Sequence, residues 1–174
     1  MIRKLIFTII IVQITFSQNL FAQSWTWISG SESADAGAVY GIKGIASDSA
    51  RPGARNGSIT WTDIDGNLWM LGGKDNFNNY YNDLWKFDTN LNQWTWMHGD
   101  SARNSLAFYG TQGIASVSNT PGSRFNGVGW IDGNNNIWLF GGEGYGSSIS
   151  NFGRFSDLWK FEIATNQWTW VKGP

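Results

Sequence analysis

An internal repeat constrains this chain more than any other feature. Shifted by 69 positions, Tyr40, Gly41, Gly44, Ile45, Ala46 and Ser47 fall on Tyr109, Gly110, Gly113, Ile114, Ala115 and Ser116. The same shift carries Pro52, Gly53 and Arg55 onto Pro121, Gly122 and Arg124. It also carries Trp61, Asp63, Trp69, Gly72 and Gly73 onto Trp130, Asp132, Trp138, Gly141 and Gly142. The register then slips by five residues between Gly142 and Asp157. Beyond the slip, Asp83-Leu84-Trp85-Lys86-Phe87 and Asn92-Gln93-Trp94-Thr95-Trp96 match Asp157-Leu158-Trp159-Lys160-Phe161 and Asn166-Gln167-Trp168-Thr169-Trp170 at an offset of 74. Trp25-Thr26-Trp27 stands alone as a third copy of the last triplet. A repeat of this kind means one supersecondary unit used in tandem, each copy burying its apolar face on a neighbour.

Each unit reads as four short strands. Ser58 to Thr62 and Val128 to Ile131 are β-rich runs closed by Asp, Gly and Asn, the chemistry of turns. Leu68 to Leu71 and Ile137 to Phe140 follow at once, which predicts a tight hairpin of strands one and two. Both second strands end in a glycine pair, Gly72-Gly73 and Gly141-Gly142, where the backbone can adopt positive φ or approach a neighbour closely. Leu84 to Phe87 and Leu158 to Phe161 form the third strands, Trp94 to Met97 and Trp168 to Val171 the fourth. Trp25 to Ile28 is expected to be a leading outer strand. Four-stranded units in tandem, with aromatics and glycines at fixed places, describe propeller blades.

The Gly-Gly pair after an apolar strand, the Asp-Leu-Trp-Lys-Phe strand and Asn-Gln-Trp together resemble the kelch repeat. With Trp-Thr-Trp, Tyr-Gly-x-x-Gly and Pro-Gly-x-Arg in each unit, the chain is similar to exported bacterial kelch-like proteins. That resemblance implies an all-β, kelch-type β-propeller segment: two four-stranded antiparallel blades plus one leading outer strand. It also relates the fold to the propeller of galactose oxidase, though not the chemistry. The units depart from the kelch pattern in length, at 69–74 residues against about 50, with the excess between the fourth strand and the next first strand. The expected organisation is a leader at 1–22, an outer strand and long connection at 23–57, a first blade at 58–97, a second connection at 98–127 and a second blade at 128–174. Propellers close with about 4–8 blades. Two blades are therefore expected to be a piece of a longer propeller, or else copies that self-associate to close a ring.

The leader is read from Arg3 and Lys4, an apolar run from Leu5 to Val12, and a small residue, Ala22, at the expected cut. Gln13, Ser17, Gln18 and Asn19 interrupt the run too early for a membrane span of about 20 apolar residues. The expectation is export to the periplasm, cell surface or medium, with no integral span in the mature chain. The whole chain carries 12 basic and 13 acidic residues, which offers no excess of cations for phosphates and argues against nucleic acid as a partner. No Cys and a single His, His98, argue against disulfides, thiolate metal sites and the copper chemistry of galactose oxidase. Neither metal nor cofactor is expected.

Candidate sites follow from strand parity. The loops from strand two to three, and from strand four to the next strand one, share one side, and they are the long ones. Elaborated loops on a rigid scaffold commonly carry binding. Tyr80, Tyr81, Tyr145, Phe152 and Arg154 are expected to be displayed there, where aromatic and guanidinium groups suit sugar faces or protein surfaces. The competing reading is that these aromatics pack their own loops. Trp61, Trp69, Trp85 and their copies Trp130, Trp138 and Trp159 are assigned to blade-to-blade packing, and the outer-strand pairs Trp25/Trp27, Trp94/Trp96 and Trp168/Trp170 to covering the blade's edge. Arg55, Arg124, Asp83 and Asp157 recur in both units and are assigned to structural bidentate pairs, with an anion-binding ring of arginines as the alternative. Asp63-Ile64-Asp65-Gly66-Asn67 has the look of a calcium loop, but its copy Asp132-Gly133-Asn134-Asn135-Asn136 loses the pattern, and a hairpin turn requires the same residues. No catalytic constellation emerges. The expectation is a non-catalytic secreted scaffold for a protein or glycan; alternatives are a fragment of a larger carbohydrate-active enzyme and a purely structural surface module.

Overall fold

The computed structural model describes residues 24–174. The expected leader at 1–22 lies outside the described residues. Within them there are eleven strands and no helix, and hence no helix long and apolar enough to cross a membrane. The strands are β1 (Ile59–Thr62), β2 (Leu68–Leu71), β3 (Leu84–Asp88), β4 (Gln93–His98), β5 (Arg124–Phe125), β6 (Val128–Ile131), β7 (Asn136–Phe140), β8 (Glu143–Tyr145), β9 (Phe152–Arg154), β10 (Leu158–Glu162) and β11 (Gln167–Lys172). They form three open antiparallel sheets: β1-β2-β3-β4, β6-β7-β10-β11 and the small β5-β8-β9. The two four-stranded sheets are consistent with a segment of a β-propeller.

The repeat extends to fine detail. Trp61 pairs with Trp69 and Trp130 with Trp138 across the two hairpins. Both sheets carry an irregularity at the same place, between Leu84 and Trp85 and between Leu158 and Trp159. The core lies between the two sheets. On β1 burial alternates, with Ile59 and Trp61 inside. Trp69 and Leu71 of β2 share their face and meet Ile137, Leu139 and Phe161 of the second sheet, Trp69 edge-on to Phe161 at 6.1 Å. Each of these side chains contributes roughly 1.5–3 kcal/mol by leaving water.

Two expectations are corrected. Trp25 to Ile28 forms no strand: it has no ladder partner among the described residues, and Trp25 is 99 % exposed. A strand's backbone groups need a neighbour, which propensity cannot supply. The stretch 143–156, expected as a loop, contains the β8–β9 hairpin, which pairs with β5 to build the third sheet. Its strands are two or three residues long, too short for alternation to show in the sequence.

The residues that lengthen each repeat also find a place. The Gly44 and Ser47 amides donate to the Trp96 and Trp94 carbonyls, at 2.8 and 3.3 Å, along the outer edge of β4. In the second copy Gly113 and Ser116 donate to Trp170 and Trp168, at 2.8 and 3.1 Å. Tyr40 and Tyr109 pack edge-on against Trp96 and Trp170. Each long connection thus runs along the outer edge of the sheet that follows it and occupies the edge strand's free hydrogen-bonding groups.

Candidate functional site

The loops of one side are joined to each other by backbone hydrogen bonds. The segment Ser123–Asn126 threads between the β2–β3 connection and the β8–β9 hairpin. Gly73 donates to the Arg124 carbonyl (2.9 Å), Arg124 to Tyr81 (2.9 Å), Asn126 to Gly57 (2.8 Å) and Tyr145 to Ser123 (2.8 Å). The glycine pairs make this approach possible. Gly72 has φ +63°, and a Cβ there would lie within 2.9 Å of the Tyr81 carbonyl oxygen and closer still to that of Arg124.

Tyr80 is the hub of the side chains on this face. Its ring lies edge-on to Phe125, Tyr145 and Phe152 at centroid separations of 5.4, 5.9 and 5.3 Å, and Tyr145 meets Phe152 at 5.0 Å. The Lys74 ammonium stands 4.4 Å over Phe125, and the Tyr80 hydroxyl donates to Glu143 at 3.4 Å. Burial and the Glu143 carboxylate push the Tyr80 hydroxyl upward in pKa. Of the residues expected to be displayed, Tyr80 and Tyr81 are buried instead, because the loops fold on one another. The Tyr81 hydroxyl donates to Asp75 at 3.0 Å, and its ring supports the Arg55 guanidinium at 4.2 Å. Tyr145 is half-buried, Phe152 is exposed, and the Arg154 side chain is 88 % exposed beside Glu143, at 3.6 Å.

A depression of about 420 Å³ opens beside this cluster, lined by Phe125, Asn126, Gly142, Glu143, Arg154 and Phe155. It offers one carboxylate, one guanidinium and aromatic walls. Phe125, Asn126 and Glu143 were not singled out from the sequence, yet extending the two offsets reveals them. Phe125 replaces Asn56, Glu143 replaces Lys74, and Arg154 falls on Tyr80. Apart from Gly142, whose counterpart is Gly73, the depression is thus lined where the two repeats differ.

The recurring charged residues form a different kind of structure. Arg124 gives Asp157 two parallel bonds, at 2.8 and 3.0 Å, and also donates to the Gly141 and Gly122 carbonyls. Tyr109 and the Trp159 indole each donate to the same Asp157 oxygen at 2.8 Å. Arg55, Asp83, Tyr40 and Trp85 repeat the arrangement in the first sheet. All four charged side chains are almost wholly enclosed. Burial opposes ionisation of Asp157, but the bonds from Arg124, Trp159 and Tyr109 outweigh it and hold the carboxyl below its usual range. With their donors committed to protein oxygens, these arginines hold the Gly-Gly turn to strand three.

The acidic turns are likewise filled from within. Asp63 accepts from the Asp65 and Asn67 amides, the Asn67 side chain and the Trp69 indole. Asp132 accepts the corresponding bonds from Asn134, Asn136 and Trp138, and Asp75 from Phe77, Asn79 and Tyr81. The shared signal, overlooked in the sequence, is Asp-x-x-x-Asn-x-aromatic. Among the described residues no group of three His, Cys, Asp or Glu is placed to hold a metal ion.

No known protein family matches this chain, and no curated protein matches it. Among solved structures it is similar to one titled "Structure of YjhT", with 16 % sequence identity and a TM-score of 0.47. The match covers 72 % of this chain and 39 % of that one. The chain is an all-β protein of open antiparallel sheets.

Proposed function

We propose that this chain is a kelch-type propeller segment, exported by its leader, that acts as a non-catalytic scaffold binding a glycan or protein on its long-loop face. The observation that carries the reading is the depression where the repeats diverge. Phe125, Glu143 and Arg154 stand in place of Asn56, Lys74 and Tyr80 and give this side of the second repeat a chemistry that the first lacks. Aromatic walls favour the apolar face of a sugar or an apolar side chain, while the carboxylate and guanidinium fix orientation through directional hydrogen bonds. The scaffold beneath is rigid, because buried ion pairs and aromatic contacts leave these loops little freedom.

A glycan array tests the reading directly, with wild type, Phe125→Ala and Arg154→Ala at equal concentration. The expected result is a restricted set of glycans retained by wild type and lost by both variants. Retention unchanged in both variants would remove the depression from consideration. An array blank for wild type would end the glycan half of the proposal.

A further inference from the structure

The internal interface also defines two exposed surfaces. The first sheet buries Ile59, Trp61, Trp69 and Leu71 against the second. The repeat puts Val128, Trp130, Trp138 and Phe140 at the same positions of the second sheet, on its far side. There Val128 is 61 % exposed, Trp130 43 % and Phe140 44 %, with the Trp130 and Trp138 rings stacked at 6.0 Å. The opposite relation holds for the receiving face. Ile137, Leu139 and Trp168 accept the first sheet, and their counterparts Leu68, Met70 and Trp94 line an open depression of about 470 Å³ on the far side of that sheet. The chain therefore presents at one end a copy of the surface that docks, and at the other a copy of the surface that receives.

We propose that a second copy of this chain occupies these faces head to tail, the Val128–Trp130–Phe140 face of one molecule seated on the Leu68–Met70–Trp94 face of the next. The chain's own inter-sheet interface is the template: indole, aliphatic and aromatic groups recur position by position on both surfaces. Such a contact is heterologous, so every open assembly keeps one free docking face and one free receiving face until a ring closes. One receiving position gains a side chain. Trp61 lies so close to Gly129 that a Cβ there would overlap the indole ring, and the corresponding receiving residue is Thr60. Thr60 therefore holds the intermolecular contact looser than the internal one.

The test is sedimentation velocity on the protein as isolated from cells that produce it, over a range of concentrations. Wild type is expected to associate reversibly. Trp130→Asp, which blocks the docking face, and Met70→Asp, which blocks the receiving face, should each weaken association about 30-fold or more. Mixed together, the two variants retain one good face each and should form a dimer that goes no further. This result also shows that both are folded. Thr60→Gly should tighten association. A wild type that stays monomeric at the highest concentration overturns the proposal, as does association that survives both Asp substitutions. Failure of the mixture to dimerise overturns the head-to-tail arrangement, and glycan retention on the loop face is unaffected by any of these outcomes.

Discussion

His98 shows how a single residue departs from the repeat and takes on a different role. Its counterpart is Lys172, an exposed side chain. His98 is buried, its Nδ1 accepts from the Gly99 amide at 2.8 Å, and its ring lies edge-on to Phe161. Burial, and then the neighbouring Lys43 ammonium, pull it down to about 4; the Val117 carbonyl and Asp100 act in the opposite sense. Because the folded value lies below that of the unfolded chain, the unfolded state takes up the proton first. The contribution is complete above about pH 6.5 and is lost as pH falls through 6.5 toward 4, to a total of about 3 kcal/mol. Urea midpoints should therefore decline from pH 6.5 to 5, before most carboxylates titrate, and His98→Gln should flatten that decline. An unchanged slope in the variant would refute the assignment. The Arg124–Asp157 and Arg55–Asp83 pairs illustrate the complementary case, in which residues that do recur are enclosed and fully bonded.

At the scale of elements, the long connections act as edge protection. A four-stranded sheet ends in an exposed row of backbone groups, and Gly44, Ser47, Gly113 and Ser116 occupy part of that row on β4 and β11. Their amides should exchange slowly with solvent although they lie outside the regular strands. The amides of Trp25 to Ile28 should exchange at the rate of an open chain. Hydrogen exchange read residue by residue decides this; fast exchange at Ser47 and Ser116 would mean the covering segments detach. The eight strands of the two main sheets were legible in the sequence to within a residue or two, because turn chemistry bounds each apolar run. The β5-β8-β9 sheet was not, because it rests on pairing between segments far apart in the chain. The expected outer strand failed for the same reason.

At the scale of the whole molecule, stability resides in one interface between two similar sheets. Repeat units draw much of their stability from neighbours. Gly129→Val is expected to drive the Trp61 indole out of its seat, since a Cβ there has no room. The loss should be several kcal/mol, in the range of about 3–5 kcal/mol that deleting a buried tryptophan costs. Thermal unfolding of the variant should separate into two steps as the sheets uncouple, whereas wild type should melt as one. A single transition at the wild-type temperature would show that the interface does not hold the sheets together.

The all-β class, the two four-stranded units, their turns and the positions whose identity the repeat demands are all legible in the order of the residues. They are so because strand period, turn residues and repetition are local properties, written within a few residues of each other or at a constant offset. Which face of each sheet is covered depends instead on packing between distant segments, so that Trp61 is enclosed while Trp130, its copy, stands open. The same holds for the loop face, where Tyr80 was expected outward and lies inside, beneath Phe125 and Phe152. Burial depends on which neighbour arrives from elsewhere in the chain, and two identical motifs with different neighbours acquire different environments.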